Sequence, residues 1–140
     1  MSGDQRPDLV ATLRYLAGIL LRQGKLEGAE SAWRQALPMA RKIYGEGSIY
    51  TQATLKELAT CLHAQRNYAE LEALYRESLA LLKKTSGNED PRVGTLLETL
   101  ARTLRAQGKL AEAEEASREA REIRTKLPAQ PPQQTNSSGP

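Results

Sequence analysis

The chain has 140 residues, of which 26% are charged and 39% hydrophobic, a composition typical of a folded domain rather than a disordered chain. Its net charge of +3 comes from interleaved basic and acidic residues, without the clustered basic stripe that is typical of nucleic-acid binding. No apolar run approaches the roughly 20 residues that a membrane span requires, and the N-terminal residues lack the apolar stretch of a secretory signal. We therefore expect a soluble, cytoplasmic protein whose partners are neither nucleic acids nor membranes.

Apolar residues recur with helical spacing along most of the chain. The first such stripe, with the pattern i, i+3, i+4, i+7, consists of Leu13, Leu16, Ala17 and Leu20. The same pattern predicts helices at residues 8–22, 26–44, 49–64, 68–86, 92–106 and 110–126. Leu and Ala carry the apolar content and Phe is absent, so the expected fold class is all-α. We expect residues 1–6 to be flexible and residues 128–140, rich in Pro, Gln and Ser, to form a disordered tail.

Residues suited to helix ends separate the predicted helices. Asn67, with Glu70 three residues later, is spaced for a capping box at the start of the fourth helix. Gly24 and Gly108 can adopt the left-handed conformation that ends a helix. The corresponding turn between the third and fourth helices has Arg66 or Asn67 in that place. We expect this turn either to cost about 1 kcal/mol or to be reshaped.

The sequence matches itself when it is shifted by 42 residues. The apolar stripe of the first helix recurs as Leu55, Leu58, Ala59 and Leu62, and again as Leu97, Leu100, Ala101 and Leu104. Each unit holds two predicted helices, and the units lie at about 7–48, 49–90 and 91–127. A single helix pair cannot bury its apolar face alone, so we expect the three units to stack on one another.

The order Leu-x-x-Leu-Ala-x-x-Leu, a glycine turn, and Ala-x-x-x-Trp/Tyr-x-x-Ala resembles the tetratricopeptide repeat. The period of 42 residues, in place of the usual 34, resembles the repeats of kinesin light chains. The resemblance covers residues 7–127 and implies a right-handed α-solenoid of three helix-turn-helix repeats with six antiparallel helices. It also implies a protein–protein interaction module or adaptor, in which the first helix of each repeat lines a concave groove that binds a peptide.

Two features depart from this family. Pro38 lies inside the second predicted helix, where its ring removes an N–H and clashes with the carbonyl of Arg34, so we predict a kink there. Kinesin light chains typically carry paired Asn residues before the Leu-Ala of the first helix. In this sequence the three places hold Arg14-Tyr15, Lys56-Glu57 and Glu98-Thr99. Cargo recognition of the kinesin light-chain kind is therefore not carried over to this chain.

The groove residues implied by the resemblance are non-stripe positions of the first helices, which the periodicity also places outside the core. They are Arg14, Tyr15, Gly18 and Arg22 in the first repeat, Lys56, Glu57, Thr60 and His63 in the second, and Glu98, Thr99, Arg102 and Arg105 in the third. Basic side chains outnumber acidic ones in this set, which suggests a groove that attracts an acidic or C-terminal-carboxylate peptide. The alternative is a set of charges that are merely solvated.

The sequence offers few groups for catalysis or metal binding. His63 is the single histidine and Cys61 the single cysteine, and a spacing of two places them on different faces of a helix. Because a zinc site needs about four such ligands, we expect no metal, no cofactor and no catalytic site. We interpret Cys61 as a small apolar residue and His63 as a partly exposed polar one, and we predict that the chain is not an enzyme.

A second function remains open, namely self-association into a homo-oligomeric scaffold. The last predicted helix is rich in Ala, Glu and Arg and resembles a polar cap. The first helix is not polar in this way, because it carries Leu9, Val10, Leu13, Leu20 and Leu21. Chains that lack a polar cap at one end can stack through that end.

Overall fold

In the computed structural model the described residues, 7–127, form six α-helices joined by short turns. The helices are α1 (Pro7–Arg22), α2 (Leu26–Tyr44), α3 (Ile49–Ala64), α4 (Tyr68–Ser86), α5 (Pro91–Ala106) and α6 (Leu110–Lys126). Each end lies within one residue of its prediction. α1 and α5 begin one residue early because a proline fits the first helical position, where no N–H is required. The predicted flexible N-terminus (1–6) and disordered tail (128–140) lie outside the described residues.

Each helix packs mainly on its neighbours along the chain, which is the arrangement of a solenoid. α1 packs closely on α2, and α5 packs closely on α6. The three pairs are joined in a row because α2 also contacts α3, and α4 contacts α5. α3 and α4 are the most loosely packed of the neighbouring helices. One apolar core runs through the stack, from Ala17 in α1 to Ile123 in α6.

The fourth helix begins with only half of its predicted capping box. Asn67 Oδ1 accepts a hydrogen bond from the backbone N–H of Glu70 at 3.4 Å. The N–H of Asn67 bonds to the carbonyl of Leu62 at 2.9 Å, and the Glu70 carboxylate pairs with Arg34. The reciprocal bond of the box therefore does not form, because a contact to the preceding repeat takes up the Glu70 side chain.

α2 continues through Pro38 to Tyr44, so the proline does not end the helix. Pro38 is exposed, and its ring therefore displaces none of the core side chains. The missing N–H leaves the carbonyl of Arg34 without its usual partner within the helix. The kink that we expect at this point stays a prediction.

The turn without glycine keeps the shape of its counterparts. Arg66 has a φ of 55°, close to the 76° of Gly24 and the 77° of Gly108. Its backbone N–H donates to the carbonyl of His63 at 2.9 Å, as that of Gly108 donates to Arg105 at 2.9 Å. The turn is therefore not reshaped, and Arg66 carries the strain of a left-handed conformation with a side chain.

A glycine at this turn should stabilise the protein. We expect Arg66→Gly to raise the free energy of unfolding by about 0.5–1 kcal/mol, because the strain that it relieves exceeds the added flexibility of the unfolded chain. Urea denaturation followed by circular dichroism measures the difference. Gly108→Arg is the matched control, since a Cβ there meets nothing within 4 Å and only the φ angle matters. We expect Gly108→Arg to lower the free energy of unfolding by a similar amount. An Arg66→Gly variant of unchanged stability would contradict backbone strain at Arg66.

A polar network joins the first repeat to the second. Gln65, which follows α3, donates through Nε2 to the carboxylate of Glu30 in α2. Arg34 pairs with Glu30, with 2.7 Å between Nε and Oε2, and reaches Glu70 in α4. Burial of Glu30 opposes its ionisation, but hydrogen bonds from Arg34 and Gln65 outweigh this and lower the pKa of its carboxyl.

The same network recurs one repeat later. Gln107 Nε2 lies 2.8 Å from Glu72 Oε1, and Arg76 Nε lies 2.8 Å from Glu72 Oε2. Lys109 Nζ adds a third bond to Glu72 at 2.9 Å. The bonds from Lys109, Arg76 and Gln107 lower the pKa of Glu72 to about 2. Each network therefore ties the second helix of one repeat to the turn after the first helix of the next repeat.

The Glu72 network predicts a specific loss of stability in acid. Its folded pKa of about 2 lies below the ordinary 4.5, so ionised Glu72 stabilises the fold above about pH 4.5. That contribution is lost as the pH falls toward 2. We expect Glu72→Gln to lower the free energy of unfolding by about 1 kcal/mol at pH 7, and the difference from wild type to shrink toward pH 3. Urea denaturation at several pH values measures it.

The matched control is Glu115→Gln, which removes the same charge from an exposed position on α6. We expect no change in stability for this variant at any pH. A Glu72→Gln loss of the same size at pH 3 and pH 7 would show that the charge of Glu72 is not responsible.

Candidate peptide-binding groove

A cavity of about 670 Å³ lies between α3, α4 and α5. Side chains of the first helices α3 and α5 provide most of its lining, and α4 contributes three residues, Tyr68, Leu71 and Tyr75. The volume is within the range of about 300–1,000 Å³ that is common for ligand pockets.

A change of residue type in α4 accounts for the position of this cavity. The corresponding place in α2 and α6 is a fully buried alanine, Ala29 or Ala113, which allows close approach to the first helix of the pair. In α4 this place is Leu71, whose larger side chain is also buried. α4 and α3 are accordingly more loosely packed than the other two pairs, and Leu71 lines the space between them.

Much of the cavity wall is apolar. Its buried residues include Leu55, Ala59, Leu71 and Leu96. Four threonines line the wall, and each donates its hydroxyl hydrogen to a carbonyl oxygen of its own helix: Thr60 to Lys56 at 2.9 Å, Thr95 to Pro91 at 3.4 Å, Thr99 to Thr95 at 3.0 Å and Thr103 to Thr99 at 3.2 Å. These hydroxyls are therefore not free donors, and the charged side chains dominate the polar character of the site.

The charged groups of the cavity are all basic or potentially basic. Lys56, His63 and Arg102 line it, and no Asp or Glu is among its lining residues. Burial raises the pKa of the Tyr75 phenol, while the nearby positive charge of Arg102 acts in the opposite direction. The His63 ring meets Tyr68 edge-on, with 5.8 Å between ring centroids. The cavity can thus offer charge-assisted donors beside an apolar surface.

The structure brings together part of the predicted groove set. Lys56, Thr60, His63 and Arg102 all line the cavity, and so does Thr99. Glu57, on the same helix as Lys56, is half-buried and is not among the lining residues. Their role in binding a ligand stays a prediction.

Two predicted residues of α5 turn toward α6 instead. Glu98 lies 3.6 Å from Arg124, and Arg105 donates to Ser117 Oγ at 2.8 Å. Periodicity alone did not separate them from Arg102, because all three lie off the apolar stripe. Their contacts to α6 are tertiary and leave no trace in the spacing.

The predicted residues of α1 take no part in the cavity. Tyr15 is 70% exposed, and Arg22 is exposed at the end of the helix. Arg14 is half-buried, and its Nε atom has no hydrogen-bond partner among residues 7–127. Gly18 is half-buried as well. The first repeat therefore contributes no residue to the cavity wall.

The contribution of the second helix α4 was not predicted from the sequence. Tyr68, Leu71 and Tyr75 of α4 line the cavity but were not in the predicted set. A signal for them exists in the sequence, since Leu71 stands where the other two repeats have Ala29 and Ala113. A leucine at a position of close helix contact indicates a wider gap in that repeat.

The groups considered for catalysis or metal binding do not form a site within the described residues. Cys61 is fully buried, whereas His63 is exposed, so the two side chains lie on different faces of α3. In residues 7–127, no group of three or more His, Cys, Asp or Glu side chains is placed to hold a metal ion. None of the helices in this range has the length and apolar character needed to cross a bilayer.

A family model for the tetratricopeptide repeat matches residues 8–70 and 50–126. The chain belongs to the tetratricopeptide repeat family. Comparison with curated protein sequences finds no match. Solved structures agree on the fold, and the predicted all-α tetratricopeptide solenoid is confirmed.

Three solved structures are similar to the chain. A kinesin light chain-type protein from Podosopora anserina with nearly identical repeats has 25% identity and a TM-score of 0.74, covering 89% of this chain and 59% of its own. BtubC (BKLC) from P. vanneervenii has 20% identity and a TM-score of 0.69, covering 91% and 52%. The TPR domain of Arabidopsis FLU has 18% identity and a TM-score of 0.64, covering 84% and 97%.

The kinesin light-chain-like character predicted from the repeat period is confirmed by these comparisons. The chain spans only about half to three fifths of the length of the first two neighbours. Tetratricopeptide repeats are general protein-interaction modules, and the cavity between α3, α4 and α5 lies among first helices of this chain's repeats.

The burial of Cys61 predicts an unreactive thiol. Burial raises its pKa, and the negative charges of Glu30 and Glu57 act in the same direction, so the thiolate is disfavoured. We expect the native protein to react with Ellman's reagent at pH 8 at least 100-fold more slowly than the protein in urea. Cys61→Ala gives the background rate. Equal rates with and without urea would contradict the interpretation of Cys61 as a core residue.

Proposed function

We propose that the chain is an adaptor that holds a peptide segment of a partner protein in a concave groove lined by the first helices of its repeats. The cavity between α3, α4 and α5 is the main binding site in this proposal, and the segment that it holds is acidic. The chain acts by binding and not as an enzyme. The cytoplasmic location expected from the sequence remains part of this proposal.

One observation carries the proposal, which is the lining of the cavity. Buried apolar side chains, among them Leu55, Leu71 and Leu96, lie next to Lys56 and Arg102, and no carboxylate lines the same space. Elsewhere on the described surface basic side chains are commonly paired, as Arg76 is with Glu72. A cationic group that forms no ion pair with a carboxylate attracts an anionic ligand more strongly than one that is already paired.

The lining also suggests what the peptide must carry. A large apolar side chain entering between α3 and α5 would contribute about 1.5–3 kcal/mol by its burial. A neighbouring Asp, Glu or C-terminal carboxylate would then accept charge-assisted hydrogen bonds from Lys56 or Arg102. The peptide would need both the apolar side chain and the carboxylate, because exposed ion pairs alone are worth about 1 kcal/mol or less.

The alternative function is a scaffold that self-associates through its first helix. Its head-to-tail form, in which α1 of one copy packs on α6 of another, has less support. The outer surface of α6 carries Arg121 and Arg124, whose side chains are 56% and 60% exposed. Stacking a second copy of α1 against this surface would take the Arg121–Glu114 and Arg124–Glu98 ion pairs out of water, which is costly. Self-association by another geometry stays a prediction.

A peptide array tests the acidic groove. We would print peptides of about 12 residues in which a central Leu is flanked by Asp, by Asn or by Lys. We expect the wild-type chain to retain the Asp-flanked peptides at least tenfold better than the Asn-flanked ones, and to lose this preference in high salt. The double variant Lys56→Glu/Arg102→Glu should reverse the preference in favour of Lys.

The matched control is Lys84→Glu/Arg118→Glu, which makes the same change in net charge at exposed positions outside the cavity. We expect this control to bind as wild type does. An array without preference for acidic peptides, or a preference that both double variants change equally, would contradict the groove proposal.

A further inference from the structure

The interior of the cavity between α3, α4 and α5 offers a ligand few neutral hydrogen-bonding groups. Its four threonines all donate to carbonyl oxygens of their own helices. The amide of Gln52 donates to the backbone carbonyl of Glu46 at 2.7 Å. The buried part of the lining is largely apolar and includes Leu55, Leu71 and Leu96. Apart from the hydroxyls of two tyrosines, the prominent donors of the lining are therefore its basic side chains.

This lining suits a hydrocarbon body better than a peptide main chain. Each residue of a peptide brings a backbone carbonyl, and each residue except proline brings an N–H as well. Backbone groups buried in this interior would lack partners, which is unfavourable. The interior therefore accepts an apolar side chain, or the body of a small molecule that has no hydrogen-bonding groups of its own.

The charged side chains of the lining lie on the solvent side of the cavity. Lys56, His63 and Arg102 are all exposed. Within residues 7–127 neither Lys56 nor Arg102 is in an ion pair, and Arg102 Nη2 lies 3.5 Å from Thr99 Oγ1. An apolar interior with unpaired cations at its edge matches a ligand that has one anionic head and a hydrocarbon body.

The corresponding positions of the first repeat do not share this charge pattern. Arg14 in α1 is the counterpart of Lys56, but Glu57 in α3 stands where α5 has Thr99. Glu57 is half-buried. A carboxylate at this position repels an anionic ligand. Thr99 therefore keeps free of negative charge a position that is acidic one repeat earlier.

We propose that the cavity between α3, α4 and α5 binds small amphiphilic carboxylates, which consist of an unbranched hydrocarbon body and one carboxylate. The hydrocarbon body packs between α3 and α5 against Leu71. The carboxylate accepts charge-assisted hydrogen bonds from Lys56 or Arg102. The inference uses the cavity of the proposed function and goes beyond it, because this ligand is a small molecule that competes with the apolar side chain of a peptide.

The length of the cavity sets the size of the ligand. Its lining on α3 extends from Gln52 to His63, a distance of about 16 Å at 1.5 Å per residue. A saturated chain of about ten carbons, with bonds of about 1.5 Å, is shorter than this when fully extended. Medium-chain fatty acids therefore fit the cavity along its length.

Decanoate is the probe for this site. Hexanoate has the same head and a shorter body, and decylammonium has a body of the same length and the opposite charge. Isothermal titration calorimetry with the full chain at near-neutral pH measures the three affinities. We expect decanoate to bind at least thirtyfold more tightly than hexanoate, because each buried CH2 contributes a factor of roughly three to four. We expect decylammonium to bind at least tenfold more weakly than decanoate.

Two variants of Thr99 test the role of charge. Thr99→Glu places in the cavity the carboxylate that Glu57 carries one repeat earlier, and Thr99→Gln fills nearly the same space without the charge. We expect Thr99→Glu to bind decanoate at least tenfold more weakly than Thr99→Gln, and circular dichroism checks that both variants fold. Lys84→Glu/Arg118→Glu lowers the net charge outside the cavity and should bind decanoate as wild type does.

Three results would overturn the inference. The first is no heat of binding at about 1 mM decanoate. The second is equal affinity for decanoate and decylammonium, or equal affinity of the two Thr99 variants for decanoate, because the anionic head would then not be recognised. The third is a set of decanoate-induced changes in the amide NMR signals that lies outside α3, α4 and α5, which would place the ligand at another apolar surface.

The Asp-flanked peptides of the array separate this inference from the proposed function. We expect decanoate to displace a bound peptide of this kind, and simultaneous binding of both would contradict a shared cavity. If the peptides bind and decanoate does not, the inference fails while the proposed function stands. If decanoate binds in the cavity and no acidic peptide is retained, the inference stands and the proposed function fails.

Discussion

The structure depends on the burial of the first helices α3 and α5, each of which lies between two second helices. In α3 and α5 the face toward the preceding repeat is closed, with Leu58 and Leu100 each only 2% exposed. Leu16, at the same position of α1, is 45% exposed because the described chain has no helix on that side. Stability in such a stack comes from nearest-neighbour interfaces, so each repeat supports the next.

The polar networks between repeats fix the register of this apolar contact. Glu30 and Glu72 receive hydrogen bonds from the glutamine after the next first helix, and both carboxylates are largely shielded from water. An apolar stripe of Leu and Ala tolerates small shifts along the helix axis, whereas a hydrogen bond between two particular side chains does not. No carboxylate of these networks lines the cavity, whose charged lining residues include Lys56 and Arg102.

The second repeat differs from the other two at two positions of the repeat pattern, and its helices α3 and α4 line the cavity together with α5. Leu71 replaces an alanine at the contact between helices, and Arg66 replaces a glycine in the turn. The first change loosens the packing of α3 and α4, and the second retains the turn at the expense of backbone strain. Sites that bind ligands commonly depart from the regular pattern of their fold, at some cost in stability.

The sequence by itself determined the helices, their ends and their order, because helical periodicity, glycine turns and a 42-residue repeat are local or strictly periodic signals. It also placed Lys56, Thr60, His63 and Arg102 outside the core. Only the tertiary structure decided that these residues share a cavity with Tyr68 and Tyr75 of α4, while Glu98 and Arg105 turn to α6. The reason is that periodicity reports which side of a helix avoids the core, whereas the partner on that side depends on helix separations set by single residues such as Leu71.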